Sequence, residues 1–167
     1  MHTPFTFTQN AGYAALLAEA ESLFAGERHF LSNAANCAAM LFSALPEINW
    51  TGFYFLHHGE LLVGPFQGKP ACIRIAVGRG VCGAAAAAGK TVVVPDVHEF
   101  PGHIACDSAS RSEIVVPLVR DGSVIGVLDI DSPVFDRFSD EDRAGLEAIC
   151  GALLDASDWE HSGYSMQ

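Results

Sequence analysis

SEIVVPLVRDGSVIGVLDIDS, residues 112–132, reads as two runs of alternating side chains around a two-residue turn. Glu113–Val119 and Val124–Ile130 are rich in β-branched residues, and Asp121-Gly122 between them suits the positive-φ positions of a tight hairpin. The hairpin carries an anomaly. Glu113 opens one strand, while Asp129 and Asp131, two residues apart, point to the same face of the other. A strand end emerging into water would account for them, but Leu128 and Ile130 bracket Asp129. Three carboxylates in one pocket would raise at least one pKa by mutual repulsion, leaving an acid able to donate a proton at neutral pH. Register decides whether they meet. A strict two-residue turn pairs Arg120 with Ser123 and so Glu113 with Ile130, which sends Glu113 to the opposite face. A shared pocket therefore predicts an odd-length loop or a β-bulge, for which Gly122, Gly126 and Pro117 are candidates.

Working outward, Ser139 followed by Asp140, Glu141 and Asp142 starts a helix that turns Leu146, Ile149, Cys150, Leu153 and Leu154 inward. Upstream, Thr91–Val94 and Cys72–Val77 are short strands, and Trp50–His57 with Glu60–Val63 flank His58-Gly59 as a second hairpin. Gly80-Val81-Cys82-Gly83, five alanines and Gly89 read as a short helix closed by glycine and lying across the sheet. Tyr13, Leu16, Leu17, Ala20 and Phe24 make one helical stripe; Phe30, Ala34, Cys37, Ala38, Leu41 and Leu45 make another, stopped by Pro46. The loop from Pro95 to Arg111 is longer than connection requires, which points to function.

This order predicts an α+β sandwich: an antiparallel sheet with helices on one face, and on the other a pocket roofed by the long loop and the short helix. One domain is expected over residues 1–167, its core from about residue 10 to 157, with no repeat or linker. His161–Gln167 carry no structural signal and are expected to fray.

Half of the residues are apolar, enough for a core without metal or disulfide staples. Nine Lys plus Arg against 20 Asp plus Glu give a net charge of −11, which repels phosphate backbones and anionic lipid headgroups. Neither nucleic acid nor a membrane is an expected partner. The longest charge-free stretch, His29 to Pro46, is too polar to span a bilayer, and Met1 to Asn10 lack the basic and apolar runs of a secretory signal. A cytoplasmic protein with thiols reduced at rest is expected.

The five cysteines form no short pair. Cys37 and Cys150 fall on helical core stripes. Cys82 sits at a helix start, where free amides and the helix dipole are expected to lower its pKa. Cys106 lies mid-loop, where a side chain can meet a ligand and then swing to another thiol. Cys72 follows Lys69-Pro70-Ala71 at a strand start and is expected to be partly exposed. A lone cysteine is often a small buried hydrophobe, but three outside the helical core pattern favour redox chemistry. His98, His103 and Cys106, with Cys82, offer metal-ligand types, yet their spacing matches no common zinc arrangement, so no metal is expected. Trp50 and Tyr54 share a strand face with Gly52 between them and could wall an apolar niche.

Taken together, Gly78-Arg79-Gly80-Val81-Cys82-Gly83, Val94-Pro95-Asp96-Val97-His98, Phe100-Pro101-Gly102-His103-Ile104-Ala105-Cys106-Asp107, Ser112-Glu113-Ile114-Val115-Val116-Pro117 and Gly126-Val127-Leu128-Asp129-Ile130-Asp131-Ser132 resemble the signature of the free methionine-(R)-sulfoxide reductases, which are stand-alone GAF-domain enzymes. The resemblance implies a GAF fold, reduction of the free rather than the peptide-bound sulfoxide, no bound cofactor, and regeneration by thioredoxin or a similar dithiol. It also implies roles: Cys106 as nucleophile, Cys72 as its resolving partner, and Cys82 as an auxiliary thiol able to pair with Cys106. A protonated carboxyl among Glu113, Asp129 and Asp131 would donate to the sulfoxide oxygen. The remaining carboxylates would hold the substrate ammonium, with Trp50 and Tyr54 packed on its methyl end. Homodimers are common among GAF domains, and the expectation leans that way. The rival reading is a non-catalytic GAF sensor of a small molecule or of oxidant.

Overall fold

The computed structural model describes residues 12–102 and 108–159. The readings made for Cys106, His103, the Met1–Asn10 stretch and His161–Gln167 lie outside the described residues.

Chain order is α1 (Tyr13–Phe24), α2 (Phe30–Ala44), β1 (Trp50–His57), β2 (Glu60–Gly68), β3 (Arg74–Ala76), α3 (Gly80–Ala88), β4 (Val92–Val94), β5 (Ser112–Arg120), β6 (Ser123–Ser132) and α4 (Asp140–Ala156). The six strands form one antiparallel sheet ordered β3-β2-β1-β6-β5-β4. Both hairpins turn where the sequence places them, His58-Gly59 and Asp121-Gly122 all taking positive φ as a tight turn requires. Pairing of β1 with β6 joins the hairpins edge to edge and puts these two strands at the centre.

Strand alternation sorts the side chains onto two faces. Phe53, Phe55, Ile114, Val116, Leu118, Leu128 and Ile130 pack with the inward stripes of α1, α2 and α4 in the main core. Cys37 and Cys150 are buried there, as their spacing predicts. On the opposite face Trp50, Tyr54, Val115 and Val127 pack under α3 in a smaller cluster. The α+β sandwich is thus as read, with helices on one face and the short helix on the other.

The predicted irregularity is present. Arg120 pairs with Ser123 and Val119 with Val124, but Leu118 then pairs with Gly126, so Ile125 is an extra residue on β6. Beyond this bulge Glu113 pairs with Asp131 rather than Ile130. Opposed residues share a face, which brings Glu113, Asp131 and Asp129 together.

Two strand boundaries differ from expectation. β2 runs past Val63 to Gly68, because Gly52 pairs with Phe66 and lets the Phe66 ring stack on Trp50 at 5.3 Å. β3 is only Arg74–Ala76, shorter than the expected Cys72–Val77. At one end the Cys72 carbonyl accepts the Tyr54 hydroxyl instead of a strand partner, and at the other the Gly78 N–H turns to the Gly83 carbonyl.

Helix α4 begins with a capping box. The Asp142 N–H donates to Ser139 Oγ, and the Ser139 N–H donates to Asp142 Oδ2 at 2.7 Å. Asp142 Oδ1 also accepts the Tyr13 hydroxyl at 2.7 Å and Arg137 Nη1 at 3.2 Å, which ties α1 to α4. Among the described residues no helix is long and apolar enough to cross a membrane. Replacing the cap, Ser139→Ala, is expected to lower unfolding free energy by about 1 kcal/mol, read as a lower denaturant midpoint at unchanged slope.

Candidate active site

The second face of the sheet holds a hollow of about 560 Å³ including its mouth. Its floor is Glu113, Asp129 and Asp131; its walls include Trp50, Tyr54, Ile75, Val81 and Cys82; Lys69, Arg79 and Ser110 reach it from the surrounding segments. Five of the sequence-predicted site residues, Glu113, Asp129, Asp131, Trp50 and Tyr54, line this one space, as does Cys82. Cys106 lies outside the described residues.

Strand pairing places the aromatic wall. Trp50 faces Asp131 across β1–β6, Gly52 faces Asp129, and the Trp50 and Tyr54 ring centres lie 5.9 Å apart. Gly52 is needed here, since a Cβ at that position would come within 2.6 Å of the Trp50 ring. Both aromatic polar groups are used. Trp50 Nε1–H donates to the Lys69 carbonyl at 3.1 Å and Tyr54 O–H to the Cys72 carbonyl at 3.2 Å. Two pocket side chains therefore hold the segment that carries Cys72. That cysteine is half-buried, as expected, and it is disulfide-bonded.

Glu113 and Asp129 are each only 6% exposed, which rules out a strand end emerging into water; Asp131 is half-buried. Burial, then the charges of Asp129 and Asp131, push the Glu113 carboxyl well above its ordinary range. Burial raises Asp129 to about 6, partly offset by hydrogen bonds from Cys82 and Glu113. Within this pair Glu113 holds its proton more tightly than Asp129. Asp129 Oδ1 is buried with no hydrogen-bond partner among the described residues, on a residue that lines the hollow.

Cys82 corrects a sequence-based expectation. It does lie in the first turn of α3, but its pKa is pushed well above 9.0, first by burial and then by the Asp129 and Glu113 charges. The dipole effect is about 1 kcal/mol or less at an exposed terminus. Here desolvation and two acids outweigh it, and the thiol points at Glu113 Oε1, 4.0 Å away. Ligand atoms of Cys82, Glu113 and Asp129 lie within 4.8 Å of one another, a donor set a soft cation could use. His98 lies in a short turn at Val97–Glu99, its Nδ1 3.1 Å from Asp96 and its Nε2 3.4 Å from Arg111.

Sequence reasoning missed Lys69, Arg79 and Ser110 as lining residues. Arg79 falls within Gly78–Gly83 and Lys69 opens Lys69-Pro70-Ala71, but a cation beside a glycine or proline carries no signal of what it faces. Ser110, buried, accepts a hydrogen bond from the Asn49 side chain at 3.2 Å, a contact between distant segments.

A family model described as GAF domain matches residues 14–153. The free methionine-R-sulfoxide reductase of Escherichia coli (strain K12) is 55% identical over 141 residues, 84% of this chain and 86% of that one. Among solved structures, the fRMsr of Staphylococcus aureus in complex with substrate is 49% identical with TM-score 0.84, covering 89% of this chain and 98% of that one. The free methionine-R-sulfoxide reductase of Neisseria meningitidis in complex with its substrate is 45% identical with TM-score 0.86, covering 90% and 94%.

Two outcomes follow from the buried acids. Cys82 should alkylate with iodoacetamide far more slowly than a free cysteine at pH 8, with the rate still rising above pH 9, as mass spectrometry of timed samples would show. Glu113 has a folded pKa above its ordinary 4.5, so the unfolded chain ionises first and stability falls as pH climbs from there towards the folded pKa. Glu113→Gln should therefore raise the thermal midpoint at pH 7, with the gain vanishing below about pH 4.5. An unchanged midpoint at pH 7 would contradict a buried, proton-bearing Glu113.

Proposed function

Because this chain belongs to the GAF domain family, and within it to the free methionine-R-sulfoxide reductases, we infer that it reduces free methionine-(R)-sulfoxide to methionine by thiol chemistry in the acid-floored hollow. The observation that carries this reading is the buried carboxyl pair of Glu113 and Asp129 beside Cys82 in an apolar-walled pocket.

A sulfoxide oxygen is a poor leaving group until it is protonated. In the proposed reaction the Cys106 thiolate attacks the sulfoxide sulfur while Glu113, paired with Asp129, delivers the proton to oxygen. The sulfur–oxygen bond breaks, methionine leaves with two more electrons on its sulfur, and Cys106 is left as a sulfenic acid. Cys72 then attacks Cys106, expelling the oxygen as water and forming a disulfide. In sum, sulfoxide plus two thiols gives methionine, disulfide and water. Thioredoxin or a similar dithiol returns the disulfide to two thiols.

Asp129 and Asp131 take the substrate ammonium, and Trp50 with Tyr54 cover the S-methyl end. Asp129 Oδ1, buried without a partner among the described residues, fits an ammonium donor. A peptide-bound methionine sulfoxide has no such ammonium, which gives selectivity for the free amino acid. Burial of Cys82 as a neutral thiol supports its placement as auxiliary rather than as nucleophile. Cytoplasmic location, a single domain over residues 1–167 and a homodimeric assembly complete the proposal.

Thiol counting separates this reading from a ligand sensor: on adding free methionine sulfoxide to reduced protein, two thiols should disappear and methionine appear, whereas a sensor loses none. Cys106→Ser should abolish turnover, while Cys72→Ser should still yield about one methionine per chain, since only resolution is lost. Multiple turnovers by Cys106→Ser would overturn the assignment. Because the acid form of Glu113 is the donor, kcat/KM should fall as pH rises through its elevated pKa. Glu113→Gln should cost about a hundredfold or more and remove that limb of the profile.

A further inference from the structure

On the reductase reading, a protein dithiol must reach the disulfide at Cys72, and the surface around that residue is unlike the rest of the molecule. Strand β3 is at the edge of the sheet, paired with β2 on one side only. Ile73 and Val77 flank it, 67% and 41% exposed. The Val63 N–H donates to the Ile73 carbonyl, so Ile73 and Ile75 bond towards β2 and the intervening Arg74 directs its backbone N–H and carbonyl away from β2. An edge of this kind accepts an extended segment of another chain.

Charge marks the same surface. The chain has 20 acidic residues, yet residues 61–95 contain none, while Lys69, Arg74, Arg79 and Lys90 fall within them. Arg74 meets Glu60 at 3.4 Å on the exposed surface, where such a pair is worth little. Lys69, Arg74 and Arg79 bracket Cys72 and Ile73 in sequence, and all three are exposed. A net charge of −11 would otherwise repel an acidic partner.

We propose that Ile73, Val77 and the outer edge of β3, rimmed by Lys69, Arg74 and Arg79, form the docking surface for an acidic protein dithiol of the thioredoxin class, whose thiolate attacks Cys72. The partner sulfur bonds to Cys72 Sγ, the sulfur formerly bonded to Cys72 leaves as a thiolate, and the partner's second thiol then displaces Cys72. Two electrons pass from the partner, which ends as a disulfide, and both enzyme sulfurs end as thiols. Exposed apolar side chains anchor the partner, the β3 edge pairs with its backbone, and the cations steer its approach.

The test compares two reductants at saturating free methionine-(R)-sulfoxide: bacterial thioredoxin with its NADPH-dependent reductase, and dithiothreitol, which is too small to use a docking face. Ile73→Glu should lower kcat/KM for thioredoxin about tenfold and leave dithiothreitol-driven turnover within about twofold of the parent. Arg74→Glu should act in the same direction and flatten the salt dependence of the thioredoxin reaction. Equal loss with both reductants, no loss with either, or a parent protein that uses dithiothreitol but not thioredoxin would overturn the docking surface while leaving the reductase reading intact. A parent protein that forms no methionine with either reductant would overturn that reading and the docking proposal with it.

Discussion

Ile125 is one residue more than the β5–β6 ladder needs, and the side on which the acids lie depends on it. Side-chain direction in a strand has period two, so a shift of one residue exchanges faces completely. Without the bulge, Glu113 would point into the packed face occupied by Ile114, Val116 and Ile130, among the helices, where no polar partner awaits a carboxyl. With it, Glu113 joins Asp129 and Asp131, while Ile114, Val116, Leu118, Leu128 and Ile130 stay on the helical face. The turn itself stays a regular two-residue hairpin, so the correction is made inside the ladder, next to Gly126. Gly126 fits for a second reason, because a Cβ there would meet the Tyr54 carbonyl and the Phe55 ring.

Burying two carboxyls within hydrogen-bond reach of each other opposes folding, and the molecule offsets it by separating tasks between faces. The helical face holds many of the large buried side chains, including Phe24, Phe30, Phe53, Leu41, Leu128 and Trp159, with Cys37 and Cys150 among them. Burial holds Cys37 at about 12 and Cys150 well above 9.0, so neither is a thiolate at physiological pH. The opposite face is smaller and roofed by an alanine-rich helix, whose short side chains let α3 lie close over β5 and β6. Stability is thus concentrated away from the acids, which are free to be unfavourable on their own.

The alternation around Asp121-Gly122 and the Ser139 cap made the last hairpin and last helix legible, because turn chemistry and capping are local. The acid cluster was legible by a less direct route: three carboxylates in apolar strands were inconsistent with a simple register, which called for an odd-length loop or a bulge, and of the three candidates Gly122, Gly126 and Pro117 it is Gly126 that adjoins the bulge. The ends of β2 and β3 were not legible. They are set by Phe66 stacking on Trp50 and by the Tyr54 hydroxyl claiming the Cys72 carbonyl, contacts between residues that a local window does not connect. Cys82 was misread for a related reason. Its position at a helix start is visible in the sequence, but the two carboxyls that raise its pKa arrive from other strands.

That misreading constrains the chemistry. Sulfoxide reduction needs a sulfur anion and a proton donor at the same substrate, and the two make opposite demands on their surroundings. The medium that keeps a proton on Glu113, desolvated and ringed by negative charge, keeps one on any thiol beside it, and Cys82 shows this directly. A nucleophile housed permanently on the floor of this hollow would therefore be a thiol, not a thiolate. Cys72 stands apart from that floor: its half-buried segment is held by the Trp50 and Tyr54 side chains, which bond the Lys69 and Cys72 carbonyls.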